Sequence, residues 1–175
     1  MKTKILTFSQ LQEAARLLYQ GQLVAIPTET VYGLAALISS ESAISSIFAV
    51  KKRPADNPLI VHIANLKQLD QIALPPSKLF FQLTEAFFPG PLTMIIPRHR
   101  DLSPLISAGL DSVAIRMPAH PIAMDLIQML EVPIVAPSAN LSGRPSATDM
   151  QHVLDDFDQK ISAVIDGGRS TFGVE

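Results

Sequence analysis

Short apolar runs that stop at a proline or a polar turn, separated by stretches of helical period, most constrain what this chain can fold into. Leu23 to Ile26 is closed by Pro27, Leu59 to Ile63 is opened by Pro58, and Pro133 to Ala136 is closed by Pro137. Runs this short, bounded by proline, read as buried strands rather than helices. Leu34 to Ile38, Leu92 to Ile96, Ser112 to Met117 and Ile161 to Ile165 read the same way.

Helices fall between them. Ser9 and Gln12 form a capping-box pattern and Gly21 a stop, which predicts a helix from Gln10 to Gln20. Ser40 or Ser42 caps a second, carrying Ile44, Ile47 and Phe48 on one face and ended by Pro54. Further helices are expected after Asn65, after Ser77 with Leu79, Leu83 and Phe87 facing inward, from Pro121 to Leu130, and from Thr148. Phe88-Pro89-Gly90-Pro91 reads as a rigid turn, and Arg98 to Gly109 as a long, mobile loop. Strands alternating with helices imply an α/β or α+β sheet. With no repeat and no linker, residues 1–175 read as a single domain. Gly167 to Glu175 reads as a loop leading into another element, so the domain is expected to be truncated at its C-terminal end.

Composition narrows the function. A 47% hydrophobic content suits a globular core, and no apolar run is long enough to span a bilayer. The N-terminus lacks the apolar segment of a signal peptide, and a cytoplasmic protein is the expectation. There are no cysteines, which excludes disulfides, thiolate nucleophiles and Cys-based metal sites. A net charge of −2 argues against a general nucleic-acid coat. Charge gathered at Lys51, Lys52 and Arg53 instead favours a small anionic ligand.

Three polar stretches meet the ends of the expected strands and helices. Lys51-Lys52-Arg53-Pro54 supplies cations for phosphate, or is a solvated helix end. Its sequel Ala55-Asp56-Asn57-Pro58 locks a polar turn before a strand. Ser138 to Gly143 offers Ser138, Asn140 and Ser142 to phosphate oxygens beyond a strand end, or is an Asx or Ser turn. Thr28-Glu29-Thr30 also follows a strand, with Tyr32-Gly33 allowing close backbone approach. His62 reads first as a core histidine. Alternation sets Arg116 inside a strand, where a guanidinium needs an anionic partner, a role a substrate carboxylate would fill. His99 and His120 lie in loops and receive no role. No Walker loop or G-x-G-x-x-G is present, and no His/carboxylate cluster has metal-ligand spacing.

These stretches occur in an order that resembles one family. Pro27 to Leu34, Lys51-Lys52-Arg53-Pro54, Asn57 to His62, Phe88 to Thr93, Val113 to Arg116 and Pro137 to Gly143 are similar to the motifs of the YrdC-like threonylcarbamoyl-adenylate synthases. The likeness extends to the N-terminal catalytic domain of the longer, two-domain type. It implies a twisted mixed sheet with flanking helices and a positively charged concave cleft. It also implies a nucleotidyltransferase that makes threonylcarbamoyl-AMP and pyrophosphate from L-threonine, bicarbonate and ATP, for tRNA threonylcarbamoyladenosine modification.

By the same resemblance, Thr30, His62, Arg116 and Ala136 hold threonine. Lys51, Arg53, Asn57, Ser112, Ser138, Asn140 and Ser146 surround ATP, with Lys51 and Arg53 as the catalytic cations. Mg²⁺ is expected on the ATP phosphates, without a protein-built metal site. Implied partners are the proteins that transfer threonylcarbamoyl to tRNA, with weak RNA binding as an accessory and no membrane. Family members continue past Glu175 with residues that help close the site. The rival expectations are a non-catalytic RNA-binding module and a carbamoyl-adenylate-forming domain of hydrogenase maturation.

Overall fold

In the computed structural model, which describes residues 2–174, the expected alternation becomes one mixed sheet. Its strands are β1 (Lys4–Leu6), β2 (Val24–Ile26), β3 (Gly33–Leu37), β4 (Ile60–His62), β5 (Thr93–Pro97), β6 (Ser112–Arg116), β7 (Ile134–Val135) and β8 (Ala163–Ile165). The helices are α1 (Leu11–Tyr19), α2 (Glu41–Lys51), α3 (Lys78–Phe87), α4 (Pro104–Ser107), α5 (Pro121–Leu130) and α6 (Met150–Phe157). The strand order is β1-β8-β2-β3-β7-β4-β6-β5. β8 runs parallel to β1 and β2, and β4 parallel to β6, while the other pairings are antiparallel.

Two apolar clusters flank the sheet. One gathers α2, α3, α4 and α6 against Val61, Val113, Ile115, Met94 and Ile96. The other packs Leu11, Leu17 and Leu18 of α1 and Leu126, Ile127 and Leu130 of α5 on β1, β8, β2, β3 and β7. Each fully buried Leu there contributes roughly 1.5–3 kcal/mol. This second layer takes no residue from β4, β6 or β5. Those three strands therefore keep one face open, and that face positions the site.

Several local expectations are corrected. The first helix begins at Leu11, after a 3₁₀ turn at Phe8–Gln10. Its capping interaction lies at Thr7, whose backbone N–H donates to Gln10 Oε1 at 3.0 Å, rather than at Ser9. The helix expected after Asn65 is a 3₁₀ turn, Leu66–Gln71. On α3 Phe80 and Thr84 face inward and Leu83 packs partly buried on the core as expected, whereas Leu79 and Phe87 are 61% and 54% exposed. The stretch from Arg98 to Gly109 is not an open loop. Leu102 and Ile106 seat it in the core, and Arg98 Nε and Nη1 donate to the carbonyls of Leu110 (2.8 Å) and Leu102 (3.0 Å). Strand β1 had no sequence counterpart, being only three residues long. Of the terminal stretch read as a loop, Glu175 lies outside the described residues; Ser170, Phe172 and Gly173 donate backbone N–H groups to Thr148, Glu29 and Thr30.

Candidate active site

The register of the three uncovered strands builds the floor of the site. His62 pairs with Arg116, which pairs with Thr93; Ile60 pairs with Ala114, which pairs with Ile95. Paired residues share a face and alternate residues repeat it. The open face thus carries a polar row (His62, Arg116, Thr93), then an apolar row (Ile60, Ala114, Ile95), then Ser112 beside Pro97. The intervening Val61, Val113, Ile115, Met94 and Ile96 point into the opposite core.

The loop after β2 forms one wall. Thr28 Oγ1 donates to the Val31 carbonyl at 2.6 Å and accepts the N–H groups of Thr30 and Val31, each at 3.2 Å. This hydroxyl-centred turn replaces backbone ladder bonds where the strand ends. Gly33 then lets the loop meet the end of β7: an added Cβ would lie 3.1 Å from Ala136 Cβ, and Leu34 N donates to the Pro137 carbonyl at 2.7 Å. Ala139 N in turn donates to the Tyr32 carbonyl at 2.7 Å.

Lys51 forms the other corner. It ends α2 as expected, yet it is only 1% exposed, so the reading of a solvated helix end does not hold for this residue. Its ammonium donates to the carbonyls of Ser138 and, at 2.6 Å, Asn140, while its own carbonyl accepts Ser142 N at 3.0 Å. Asp156 of α6 fixes the same loop from outside, accepting Leu141 N at 2.8 Å and pairing with Arg144 at 2.5 Å. Asn140 Nδ2 donates to the Arg144 carbonyl at 2.7 Å. Arg53 Nη2 donates to the Pro58 carbonyl at 3.0 Å, which orients the arginine across the Asn57-Pro58 turn.

These walls enclose a cavity of about 290 Å³. Thr30, His62, Arg116 and Ala136 all line it, as do Arg53, Asn57 and Ser138. Lys51, Asn140, Ser112 and Ser146 do not: the first two brace the loop behind Ser138, and Ser112 lies farther along the open face. Ser146 sits half-buried in the loop leading to α6, next to Ala147, whose carbonyl accepts Tyr32 N at 2.8 Å. Thr28 and Thr93 also line the cavity without having been singled out as site residues. The β5–β6 pairing that brings Thr93 to Arg116 is nonlocal, so only the alternation along β5 hinted at its open face.

The electrostatics are set by two arginines and a neutral histidine. Burial and the neighbouring Arg116 charge lower the His62 pKa to about 3. His62 Nδ1 lies 3.3 Å from the Ile60 carbonyl. A carbonyl only accepts, so this contact assigns the proton to Nδ1 and leaves Nε2 as an acceptor. The anionic partner demanded by Arg116 is internal: Nη2 lies 2.6 Å from Glu29 Oε1, and Nη1 donates to Thr30 Oγ1 at 2.9 Å. Behind the loop, Tyr32 is fully buried and donates to the Gly168 carbonyl at 2.7 Å; burial pushes its phenol up to about 12.

A mixed sheet whose uncovered face carries Arg116, a neutral histidine and hydroxyls, with Arg53 reaching the same cavity from the turn after α2, defines a pocket suited to small anionic ligands. The Sua5/YciO/YrdC family, described as "Telomere recombination", matches residues 16–175, and the chain belongs to it. It is 51% identical over 162 residues to a threonylcarbamoyl-AMP synthase of Pyrococcus abyssi, covering 93% of this chain and 48% of that protein. A threonylcarbamoyl-AMP synthase of Bacillus subtilis is 50% identical over 167 residues, with 95% and 48% covered. The crystal structure of P. abyssi Sua5 complexed with L-threonine superposes with a TM-score of 0.96 at 47% identity, covering 99% of this chain and 53% of that one. The chain spans about half the length of these relatives. The expected family and fold are borne out.

Proposed function

We propose that this chain carries the threonylcarbamoyl-AMP synthase active site, joining L-threonine, bicarbonate and ATP and releasing pyrophosphate for tRNA threonylcarbamoyladenosine formation. The observation that carries this reading is convergence: Thr30, His62, Arg116 and Ala136 line the same cavity as Arg53, Asn57 and Ser138. A threonine-bound relative with the same fold adds to it.

In this reading the threonine carboxylate meets Arg116 and Thr30, and its β-hydroxyl donates to the bare Nε2 of His62. The threonine ammonium gives up a proton to solvent, and the free amine then adds to the bicarbonate carbon as water leaves, giving a carbamate. A carbamate oxygen then attacks the α-phosphorus while the bond to pyrophosphate breaks. Both partners are anionic, so the main task of the site is to hold them together and offset growing charge. Arg53 and Ser138 serve the phosphates. Lys51 contributes through its charge and by fixing the carbonyls of Ser138 and Asn140. The apolar row Ile60, Ala114, Ile95 leading to Ser112 suits the adenine base, with Asn140 and Ser146 on the nucleotide side.

The cavity offers hydroxyls but no carboxylate, which suits Mg²⁺ arriving on the ATP phosphates, where it would offset phosphate charge. Among the described residues no group of three or more His, Asp or Glu is placed to hold a metal. No helix among them is long and apolar enough to cross a membrane. We place the activity in the cytoplasm, upstream of the proteins that move threonylcarbamoyl to tRNA. Calorimetry tests the reading: ATP and threonine each bind with one site per chain. Absence of both, with RNA binding that falls steeply as salt rises, would replace it with an RNA-binding module.

A further inference from the structure

Glu29 lies between two residues that line the cavity, Thr28 and Thr30, and does not line it itself. Its side chain and that of Arg116 are each 8% exposed, with Oε1 and Nη2 2.6 Å apart. The contact is close but not aligned as a hydrogen bond: Nη2 and both carboxylate oxygens have no hydrogen-bond partner among the described residues. The other arginine nitrogens are held by neutral oxygens, Nη1 by Thr30 Oγ1 at 2.9 Å and Nε by the Gly90 carbonyl at 3.3 Å. The loop is also pinned through its backbone, since the Glu29 and Thr30 carbonyls accept the N–H groups of Phe172 (2.9 Å) and Gly173 (3.0 Å). The acidic side chain is therefore held against the guanidinium.

Such a pair makes burial of Arg116 tolerable, but a buried ion pair is seldom more stabilising than apolar packing. It also weakens any ligand that relies only on negative charge, because Arg116 is already neutralised. A ligand with a positive centre beside its carboxylate loses less, since the ammonium is attracted to Glu29 across the guanidinium. We propose that Glu29 is a positioning and specificity-determining residue: as the resident counter-ion of Arg116, it makes the pocket select an α-amino acid over an equally shaped carboxylate without an amine. This inference rests on the threonine reading of the pocket.

The test compares calorimetric affinities for L-threonine and for 2,3-dihydroxybutyrate of matching configuration, in which a hydroxyl replaces the amine. The wild type prefers threonine by about tenfold or more. In Glu29→Gln that ratio falls by about tenfold, chiefly because dihydroxybutyrate binds more tightly. Glu29→Asp, which keeps the charge, retains the preference. A folded Glu29→Gln protein with the wild-type ratio overturns the proposal, as does a Glu29→Asp protein that loses the preference. Should Glu29→Gln fail to fold, the wild type decides: equal affinities for the two ligands overturn the proposal, and a threonine preference supports it. A wild type that binds neither ligand overturns the threonine reading as well.

Discussion

The Lys51 ammonium lies 2.6 Å from the carbonyl oxygen of Asn140, a residue 89 positions away, and both residues are buried. This bond, with its neighbour to Ser138, ties the end of α2 to the loop after β7 and so fixes two walls of the cavity at once. Lys51→Met keeps an unbranched side chain one atom shorter but leaves these carbonyls without their donor. We predict a loss of roughly 2–4 kcal/mol in denaturant unfolding, together with loss of pyrophosphate release. Wild-type stability in this variant would contradict the bracing role.

Arg53 separates from Lys51 in the same experiment. It lines the cavity, is partly exposed, and donates to carbonyls of its own turn. Arg53→Ala is expected to change stability by less than about 1 kcal/mol. Its effect falls on ATP, whose affinity measured by calorimetry drops at least about tenfold.

Acid stability reports on His62. Its folded pKa of about 3 lies below the ordinary 6.5, so the unfolded chain takes up the proton first as pH falls. The resulting stability is fully present above about pH 6.5 and declines toward pH 3 by about 1.4 kcal/mol per pH unit. His62→Gln removes this slope. Unfolding midpoints at neutral pH and near pH 4.5 therefore converge for the two proteins more closely in acid, and parallel curves would show that His62 is not buried neutral.

Gly167 guards the loop from beneath. A Cβ there would lie 2.4 Å from Pro27 Cγ and 2.7 Å from Pro27 Cβ, a proline ring that cannot turn aside. Gly167→Ala is predicted to cost about 1–3 kcal/mol, seen as a lower Tm, and to weaken threonine binding through the displaced Thr28-Thr30 turn.

What was legible in the sequence follows the range of the forces involved. Prolines and apolar runs are local signals, and they located β2, β4, β7 and the polar turns beyond them. Periodicity places Leu79, Phe80, Leu83 and Phe87 on one side of α3; tertiary packing turns that side so that its Phe80 edge, with Thr84, faces the core and its Leu79 edge faces solvent. The need of Arg116 for a negative partner was readable from its place in a strand. That the partner is Glu29 was not, because strand pairing and the β2 loop bring them together. Lys51 was readable as a helix-end cation, but its burial depends on a loop nearly half the chain away. Thr30, His62, Arg116 and Ala136, which the family resemblance assigns to threonine, line one cavity.

One cavity is expected to join threonine, bicarbonate and ATP. Mass spectrometry of the chain incubated with ATP, Mg²⁺, L-threonine and ¹³C-bicarbonate tests it most directly. Labelled threonylcarbamoyl-AMP is expected with pyrophosphate in equal amount, and no product when any one substrate is omitted or when Arg116 is replaced by alanine. Pyrophosphate released without threonine, or labelled product formed undiminished by Arg116→Ala, would contradict it.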